Sequence, residues 1–420
     1  MFDLLSTQFP SGGGIAGAVY SVLGWLSSAM PYGLAIIVFT LLLRLMMTPI
    51  DFGTKYFTKK NAISMAKLKP EQDAIMQTYA DDPVAMQRAR TELFKKHGAG
   101  MGGFCLFTIL NLLVMIFVFF AVLGALNGIS NYNINYQFTR LETIHAHHMQ
   151  YNNGALDDAP LLDASGNLVL DEDGEVVYVT FQYAINREFE ATTTSFLWVS
   201  NIWQPDTPWA RQTLTWNQFV SRTSGVQNSV IPPRDLPVDE RNEELERLEK
   251  IYNEIFNPKS GVEVAGRAGN GFLFLVLLAG VTMFFSMMLN GKLMKSAKTA
   301  NEPVKKEEEV GYSIRKIKDS SGSGVERLPQ IDPQASMKIM KFILPVIMIV
   351  FTLLNTAALA VYIIAGSLVM LGLSFVMNFA VEKLIKFQEK RKKSRKDIQQ
   401  DGNVITINPH SKYFRSKKNS

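Results

Sequence analysis

The sequence is poor in cysteine and, over several long stretches, in charge. Its single cysteine, Cys105, lies inside an apolar run, so it can form neither a disulfide within the chain nor a paired-cysteine zinc site. No Lys or Arg precedes Arg44 and no cysteine lies near the start, so we expect neither a cleaved signal peptide nor a lipid anchor. HExxH, GxSxG and glycine-rich phosphate-loop motifs are also missing, so we expect no enzyme, metal or cofactor.

The apolar residues are concentrated in windows that are nearly free of charge. The 420-residue chain is 47% hydrophobic, yet its mean hydropathy is only +0.06 because the rest is strongly polar. About 20 apolar residues in helix cross a hydrocarbon layer of roughly 30 Å. These windows predict an all-α polytopic membrane protein with five transmembrane helices, at about 32–50, 104–126, 271–291, 339–356 and 359–380.

The positions of Lys and Arg predict the orientation of these spans. Positive residues follow the first, third and fifth spans closely, whereas the other two loops have few near the membrane. We therefore expect the N-terminus outside and the C-terminus inside. In chain order the predicted parts are an extracytoplasmic N-terminus with an interfacial helix (1–31), a first span (32–52), a cytoplasmic helical hairpin (53–101), a second span (102–126), an extracytoplasmic insertion (127–269), a third span (270–291), a cytoplasmic linker (292–338), the fourth and fifth spans (339–380) and a basic cytoplasmic tail (381–420).

The predicted hairpin carries clear helix signals. Asp82 followed by Pro83 is typical of a helix start, with a capping carboxylate before a proline in the first turn. That second helix should end at cations and a glycine: Lys95, Lys96, His97 and Gly98. One face of the first helix collects residues at spacings of seven and four: Leu68, Ile75 and Tyr79. The residues alone leave open whether the hairpin is a docking surface or a solvated connector.

The predicted outer insertion mixes strand and helix patterns. The stretch "LLDASGNLVLDEDGEVVYVTF" at 161–181 predicts β-hairpins, because Gly-Asn and Asp-Gly turns interrupt it. Residues 239–256 predict an acidic amphipathic helix. The "DEDG" at 171–174 lacks the twelve-residue ligand pattern of a calcium loop, which favours a plain turn. The "HAHH" at 145–148 could hold a metal, but no further ligand is evident, so we expect none.

The basic tail at 381–420 predicts contact with anionic lipid headgroups. The same charge would suit the phosphates of ribosomal RNA, a reading that we rank second, and we expect no DNA partner.

Arg44 is the one formal charge deep in a predicted span. It lies about 9 Å from the inner end at 1.5 Å per residue, a distance that a snorkelling side chain covers. A functional arginine there needs water or partners. The other spans contribute polar side chains: Thr108, Asn111, Thr282, Ser286, Asn290, Ser374 and Asn378.

With the predicted orientation, all of these except Thr282 fall in the cytoplasmic half of the membrane, and the outer halves are apolar. Ser, Thr and Asn also join helices by ordinary hydrogen bonds, but that role need not favour one leaflet. We therefore predict a substrate groove that is polar and open to the cytoplasm and to lipid.

Several stretches resemble the YidC membrane insertases and their mitochondrial Oxa and chloroplast Albino relatives. "YGLAIIVFTLLLRLMMTPI" is similar to the first conserved span of that family, in which an arginine stands at the place of Arg44. "LKPEQDAIMQTYADDPVAMQRARTELFKKHGAGMGGFCL" at 68–106 resembles the cytoplasmic hairpin. "FLWVSNIWQPD" at 196–206 resembles a family motif that precedes the third span, and "LPVIMIVFTLLNTAALAVY" resembles the fourth and fifth spans.

The resemblance implies a non-enzymatic insertase in the bacterial cytoplasmic membrane. It implies five spans around a hydrophilic groove that contains Arg44, and a hairpin that receives substrate. The implied partners are nascent membrane proteins, the ribosome and the Sec translocon. The chain departs from the family in its large 127–269 loop and in the position of the Phe-Leu-Trp motif, which stands well before the third span rather than beside it. Two alternatives stay open: a small-anion transporter that uses Arg44, and an anchored assembly scaffold that acts through its outer domain.

Overall fold

The computed structural model describes residues 7–79, 82–96, 101–163, 166–209, 212–256, 269–296 and 333–403. Within them the chain is almost entirely helical, as predicted, with one two-stranded antiparallel sheet. The elements are α1 (Gly14–Ser27), α2 (Tyr32–Thr78), α3 (Pro83–Lys96), α4 (Met101–Tyr151), β1 (Ala159–Pro160), β2 (Tyr178–Val179), α5 (Phe181–Thr192), α6 (Trp216–Thr223), α7 (Val238–Phe256), α8 (Phe274–Ser296), α9 (Pro333–Leu354) and α10 (Ala357–Asn403).

In the part of the chain that the structure describes, three helices are long and apolar enough to cross a membrane: Tyr32–Thr78, Ile109–Tyr151 and Ala357–Arg391. Shorter apolar helical stretches are Gly14–Ser27, Phe274–Asn290 and Ile343–Leu354. The first, second and fifth predicted spans overlap the three long helices, which confirms a multi-pass membrane protein. The third and fourth overlap α8 and α9, although 271–273 and 355–356 lie outside those helices. Their passage across the membrane stays a prediction, as do the domain bounds and the orientation.

The chain divides into two units. The first unit comprises Met1–Thr48, Leu110–Gly291 and Glu307–Leu371, and the second comprises Pro49–Ile109, Lys292–Lys306 and Gly372–Ser420. Four helices contribute residues to both units: α2, α4, α8 and α10.

The first unit has one continuous hydrophobic core, to which α4 contributes beyond its predicted span. The helix does not end near 126 but runs to Tyr151. The added turns are amphipathic: Ile134, Phe138 and Leu141 are buried at spacings of four and three. Phe138 lies 4.8 Å from Phe219 of α6 and 5.5 Å from Tyr252 of α7, measured between ring centroids. Burial of this face explains why the helix continues outside the membrane.

The predicted β-hairpins and acidic helix of the insertion are confirmed. Isolated bridges join Leu162 to Leu168 and Leu170 to Val176 around turns at Gly166 and Gly174, whose φ values are 83° and 80°. Only glycine adopts such angles at little cost, which is why these turns fall there. Helix α7 spans Val238–Phe256 and buries its predicted apolar face: Leu248, Tyr252 and Ile255.

The second unit contains the predicted helical hairpin. α2 continues through Pro49 and Pro70 to Thr78, and α3 follows. Leu68 and Leu93 form a small buried cluster, with Ile75 and Phe94 packed against it. Of the predicted face, Leu68 and Ile75 pack, whereas Tyr79 is exposed.

Candidate functional site

Arg44 lies on α2 in the first unit, and its guanidinium packs against α10. A Cβ placed on Gly366 would lie 3.2 Å from Nη2 of Arg44, so the missing side chain at Gly366 makes room for the charge. Arg44 is half-buried, and its Nε has no hydrogen-bond partner among the residues that the structure describes. A buried polar atom without a partner costs about 1–3 kcal/mol unless water or a ligand satisfies it.

From the positions of Arg44 and Gly366 along their helices, we infer that the Arg44 side chain leans toward the end at which α2 and α10 both begin. Both starts contact one segment, since the Tyr32 ring lies 4.9 Å from the Trp203 ring in a tilted arrangement and Ala357 N donates to Gln204 O at 2.9 Å. At 1.5 Å per residue, Arg44 lies about 18 Å along α2, whereas Gly366 lies about 14 Å along α10. Helical side chains lean toward their own N-terminus, which explains this direction. A snorkelling side chain would lean the other way, toward the predicted cytoplasmic end of the span.

The predicted groove residues on α8 differ in their surroundings. The Thr282 hydroxyl donates to Leu278 O at 2.7 Å, so it is satisfied by its own helix. Ser286 is buried, one turn further along. The Oδ1 of Asn290 is buried and accepts no hydrogen bond from the described residues. Asn111 of α4, also in the first unit, is half-buried.

The second unit holds the other predicted groove residues. Ser374 and Asn378 lie one turn apart on α10, and both Oγ of Ser374 and Nδ2 of Asn378 are buried without a hydrogen-bond partner in the described part of the chain. The Nζ of Lys55 is in the same state. The side chain of Thr108 lies outside the described residues. Unsatisfied polar atoms are few in folded proteins, and water or a polar ligand in contact with these atoms would offset the cost of burying them.

The described residues of the predicted helix start and end lie at the two ends of α3. Asp82 Oδ1 accepts from the backbone N of Val84 and of Ala85, both at 3.0 Å, which confirms it as the cap of α3. Pro83 is the first residue of that helix. The exposed Lys95 and Lys96 end it, as predicted, whereas His97 and Gly98 lie outside the described residues.

Sequence reasoning did not find the set of contacts that joins the 196–206 motif to the starts of α8 and α10. We call this set the clasp and define it as Asn201, Gln204, Asp206 and Asn270. Asp206 is fully buried; its Oδ1 accepts from Phe272 N at 2.9 Å and its Oδ2 from Leu275 N at 2.7 Å. Its carboxylate therefore caps the start of α8, where the helix dipole favours a negative charge.

Asn270 is the centre of the clasp. Its Oδ1 accepts from Asn201 N at 2.7 Å, and its Nδ2 donates to Asn201 O at 2.7 Å and to Gln204 O at 3.2 Å. Gln204 O also accepts from Ala357 N at the start of α10, and the ring of Phe196 packs on Gly33 at the start of α2. The motif is thus adjacent to the third predicted span in space although the insertion separates them in sequence.

The histidines of the "HAHH" stretch point to three separate partners. His145 Nε2 lies 2.7 Å from Glu254 Oε2, His147 Nε2 lies 3.1 Å from Pro160 O, and His148 Nδ1 lies 2.8 Å from Asp157 O. Among the described residues no group of three metal-binding side chains converges. In the "DEDG" turn, Asp171 Oδ1 accepts from the backbone N of Asp173 and of Glu175, as an ordinary turn does.

The fold and these sites define a multi-pass helical membrane protein with polar side chains buried among apolar helices. Residues 25–165 match the model of the 60Kd inner membrane protein family. This region contains the first two predicted spans and the hairpin between them, so the resemblance to the YidC family is confirmed over this part of the chain.

Curated relatives named membrane protein insertase YidC show the same similarity. The protein of Synechocystis sp. is 33% identical over 105 residues, which is 25% of this chain and 26% of the relative. The protein of Campylobacter jejuni is 37% identical over 94 residues, or 22% of this chain and 16% of the relative. That of Methylobacterium sp. is 43% identical over 68 residues, or 16% of this chain and 10% of the relative. The matched part is about a quarter of these relatives or less.

Proposed function

We propose that this chain is a membrane protein insertase, which receives nascent hydrophobic segments in a polar groove open to the cytoplasm and releases them into the bilayer. The observation that carries the proposal is Arg44. It is a charge inside an apolar helix, its Nε has no partner among the described residues, and it lies in the region that matches the family. An unpaired guanidinium attracts water and the acidic or polar groups of a passenger.

In this mechanism the chain does no covalent chemistry. The polar tail of an incoming segment occupies the predicted groove, in which Arg44 is its charged contact. The apolar part of the segment meets lipid, and the gain from its burial in hydrocarbon drives release. The hairpin receives the segment from the ribosome, alone or beside the Sec translocon, and the tail at 381–420 holds anionic lipid.

The proposal is tested by complementation. A bacterial host is depleted of its own insertase and supplied with this protein, and insertion of a single-span substrate is followed by protease protection. We expect insertion to be restored. Absence of insertion despite correct expression in the membrane would argue for the scaffold alternative, in which the outer domain acts by itself.

Arg44→Ala tests the role of the charge. We expect it to reduce insertion about tenfold for a substrate with an acidic N-terminal tail, because one charge contact of about 1.4 kcal/mol is lost, and to affect a neutral tail less. Arg44→Lys should keep much of the activity. Arg247→Ala, at an exposed arginine of α7, is the matched control. Equal activity of Arg44→Ala on both substrates would mean that the charge does not act on the passenger.

Water access to the groove is tested by thiol labelling. In a Cys105→Ser background, Ser286→Cys and Ser374→Cys should react with a membrane-impermeant maleimide added from the cytoplasmic side. Thr352→Cys, at a buried threonine that donates to Met348 O, provides the unreactive control. Protection of both test positions would assign these side chains to dry helix packing.

A further inference from the structure

A cavity of about 870 Å³ lies in the first unit where apolar helices end. Its wall includes Asn127, which follows the apolar run of α4, and residues 354–356, which connect α9 to α10. Asn127 and Asn355 meet across it, with Nδ2 and Oδ1 3.4 Å apart. The cavity is therefore at the level where two predicted spans reach the membrane surface. Its volume is in the range of small-molecule sites.

Among the described residues that line the cavity, Arg222 is the one cation, and it lies among neutral amides. Arg222 of α6 donates from Nε to Asn131 Oδ1 at 2.8 Å and from Nη2 to Ser130 Oγ at 2.8 Å. Its described hydrogen bonds all go to neutral acceptors, and its described contacts include no carboxylate. The amide side chains of the wall are Asn127, Asn131, Gln204, Asn217, Gln218 and Asn355. No acidic residue is among the described residues that line it.

This environment disfavours the charge that Arg222 carries. Burial lowers the pKa of its guanidinium to about 10. A buried cation without a counter-charge is costly, whereas an anion in the cavity would offset that cost. The chemistry of the wall thus suits a ligand with a single negative charge and several hydrogen-bond acceptors, which the amides and the guanidinium satisfy together.

Two large apolar side chains of the cavity wall, Trp209 and Leu354, are 65% and 74% exposed, beside exposed polar wall residues such as Asn217 and Gln218. Exposed tryptophan is typical of the membrane–water boundary, where its ring lies among headgroups. A cationic, amide-rich wall with exposed apolar side chains favours an amphiphile over a free small anion, which has no apolar part to contact the indole.

We propose that this cavity binds the phosphodiester headgroup of a phospholipid. Arg222 pairs with the phosphate, the amides bind its oxygens and the headgroup hydroxyls, and Trp209 and Leu354 contact the glycerol backbone and the first acyl carbons. The site is separate from Arg44. It goes beyond the insertase proposal, because it would hold a lipid at the predicted extracytoplasmic ends of the spans whether or not the chain inserts proteins.

The test uses the full-length protein, delipidated in a non-ionic detergent and analysed by native mass spectrometry during titration. Three probes separate the sources of the phosphate: phosphatidylglycerol, glycerophosphate without acyl chains, and diacylglycerol without phosphate. We expect phosphatidylglycerol to bind at least about tenfold more tightly than either other probe. Equal binding of glycerophosphate would assign the cavity to small anions, and equal binding of diacylglycerol would reduce it to an apolar cleft; either result overturns the proposal.

Two variants locate the binding. Arg222→Gln removes the cation, and the isosteric Asn217→Asp places a negative charge at an exposed position of the wall without removing Arg222. Each should weaken phosphatidylglycerol binding about tenfold and leave diacylglycerol unchanged. Arg247→Gln removes one exposed positive charge elsewhere in the unit and should have no effect. If Arg222→Gln does not fold, Asn217→Asp decides alone, and unchanged phosphatidylglycerol binding in that variant overturns the proposal.

Discussion

Two regions of the molecule are stabilised by different kinds of interaction: the region around the clasp in the first unit, and the hairpin in the second. Around Asn270 and Asp206, buried amides and a carboxylate bind backbone groups that are remote in sequence, above a large aromatic core. The hairpin has a cluster of two buried residues, Leu68 and Leu93, and its described ion pairs are exposed on at least one side. Exposed pairs contribute at most about 1 kcal/mol each.

This difference shows which part can change shape at low cost. Local opening requires little free energy where few apolar contacts are lost, and much where a buried hydrogen-bond network must break. The hairpin should therefore open locally at lower cost than the clasp, which keeps the starts of α8 and α10 in one geometry. Four measurements test this difference, and they follow in order of decreasing expected effect.

Asp206→Ala should have the largest effect on stability. It leaves Phe272 N and Leu275 N without their acceptor inside a buried site, so we expect a loss of about 3 kcal/mol. Thermal unfolding in detergent, followed by tryptophan fluorescence, measures it. Asp206→Asn keeps one acceptor oxygen and should show an intermediate loss, and the exposed Asp235→Ala should show none. A loss below 1 kcal/mol would mean that the clasp is not a stabilising network.

Leu93→Ala should destabilise the hairpin alone. Removing three side-chain carbons from a small cluster costs about 2 kcal/mol, at the low end for leucine because the site relaxes easily. Hydrogen exchange of α3 amides should accelerate while the amides of α7 stay unchanged. The exposed Val84→Ala on the same helix serves as the control. Faster exchange in α7 would contradict the independence of the two regions.

Asp82→Ala removes the cap of α3. We expect about 1 kcal/mol of local destabilisation, because Val84 N and Ala85 N lose their acceptor. The same exchange experiment should show faster exchange in the first turn of α3 only, and Asp82→Ser should restore protection. Unchanged exchange in Asp82→Ala would show that water replaces the carboxylate at no cost.

The smallest effect is expected from pH. Burial lowers the pKa of His148. The folded state therefore binds a proton at His148 less readily than the unfolded chain, whose histidine is protonated below about pH 6.5. The stability contributed by neutral His148 is complete above that pH and decreases as the pH falls below it. Unfolding temperatures between pH 5 and 8 should show this slope, and His148→Asn, which keeps an N–H donor toward Asp157 O, should reduce it. An identical slope in both proteins would rule out His148 as its source.

Much of the architecture could be predicted because the signals are local. Apolar windows predicted all five spans as helix, Asp82 and Pro83 predicted the start of α3, and the apolar spacing in 239–256 predicted the buried face of α7. The extension of α4 to Tyr151 was missed because the apolar run ends near 126. Its signal was nevertheless present in the spacing of Ile134, Phe138 and Leu141.

The groove and the clasp show the limit of this reasoning. The sequence placed Arg44 in an apolar helix, but the direction of its side chain depends on the space at Gly366, on a helix far along the chain. The sequence shows Asp206 in the "QPD" of the 196–206 motif, but it does not show that Asp206 caps α8. The residues between Asp206 and α8 could have formed a loop of any conformation, so their spacing does not predict the contact.

Local sequence was enough to predict the apolar helical segments, the cap at Asp82 and the buried face of α7, since these follow from the spacing of neighbours along one chain. Which side chains meet depends on the tertiary structure. A buried amide or carboxylate binds any backbone group within reach, so Asp206 meeting Leu275 N, and Arg222 meeting Ser130 rather than an acid, follow from how the helices pack.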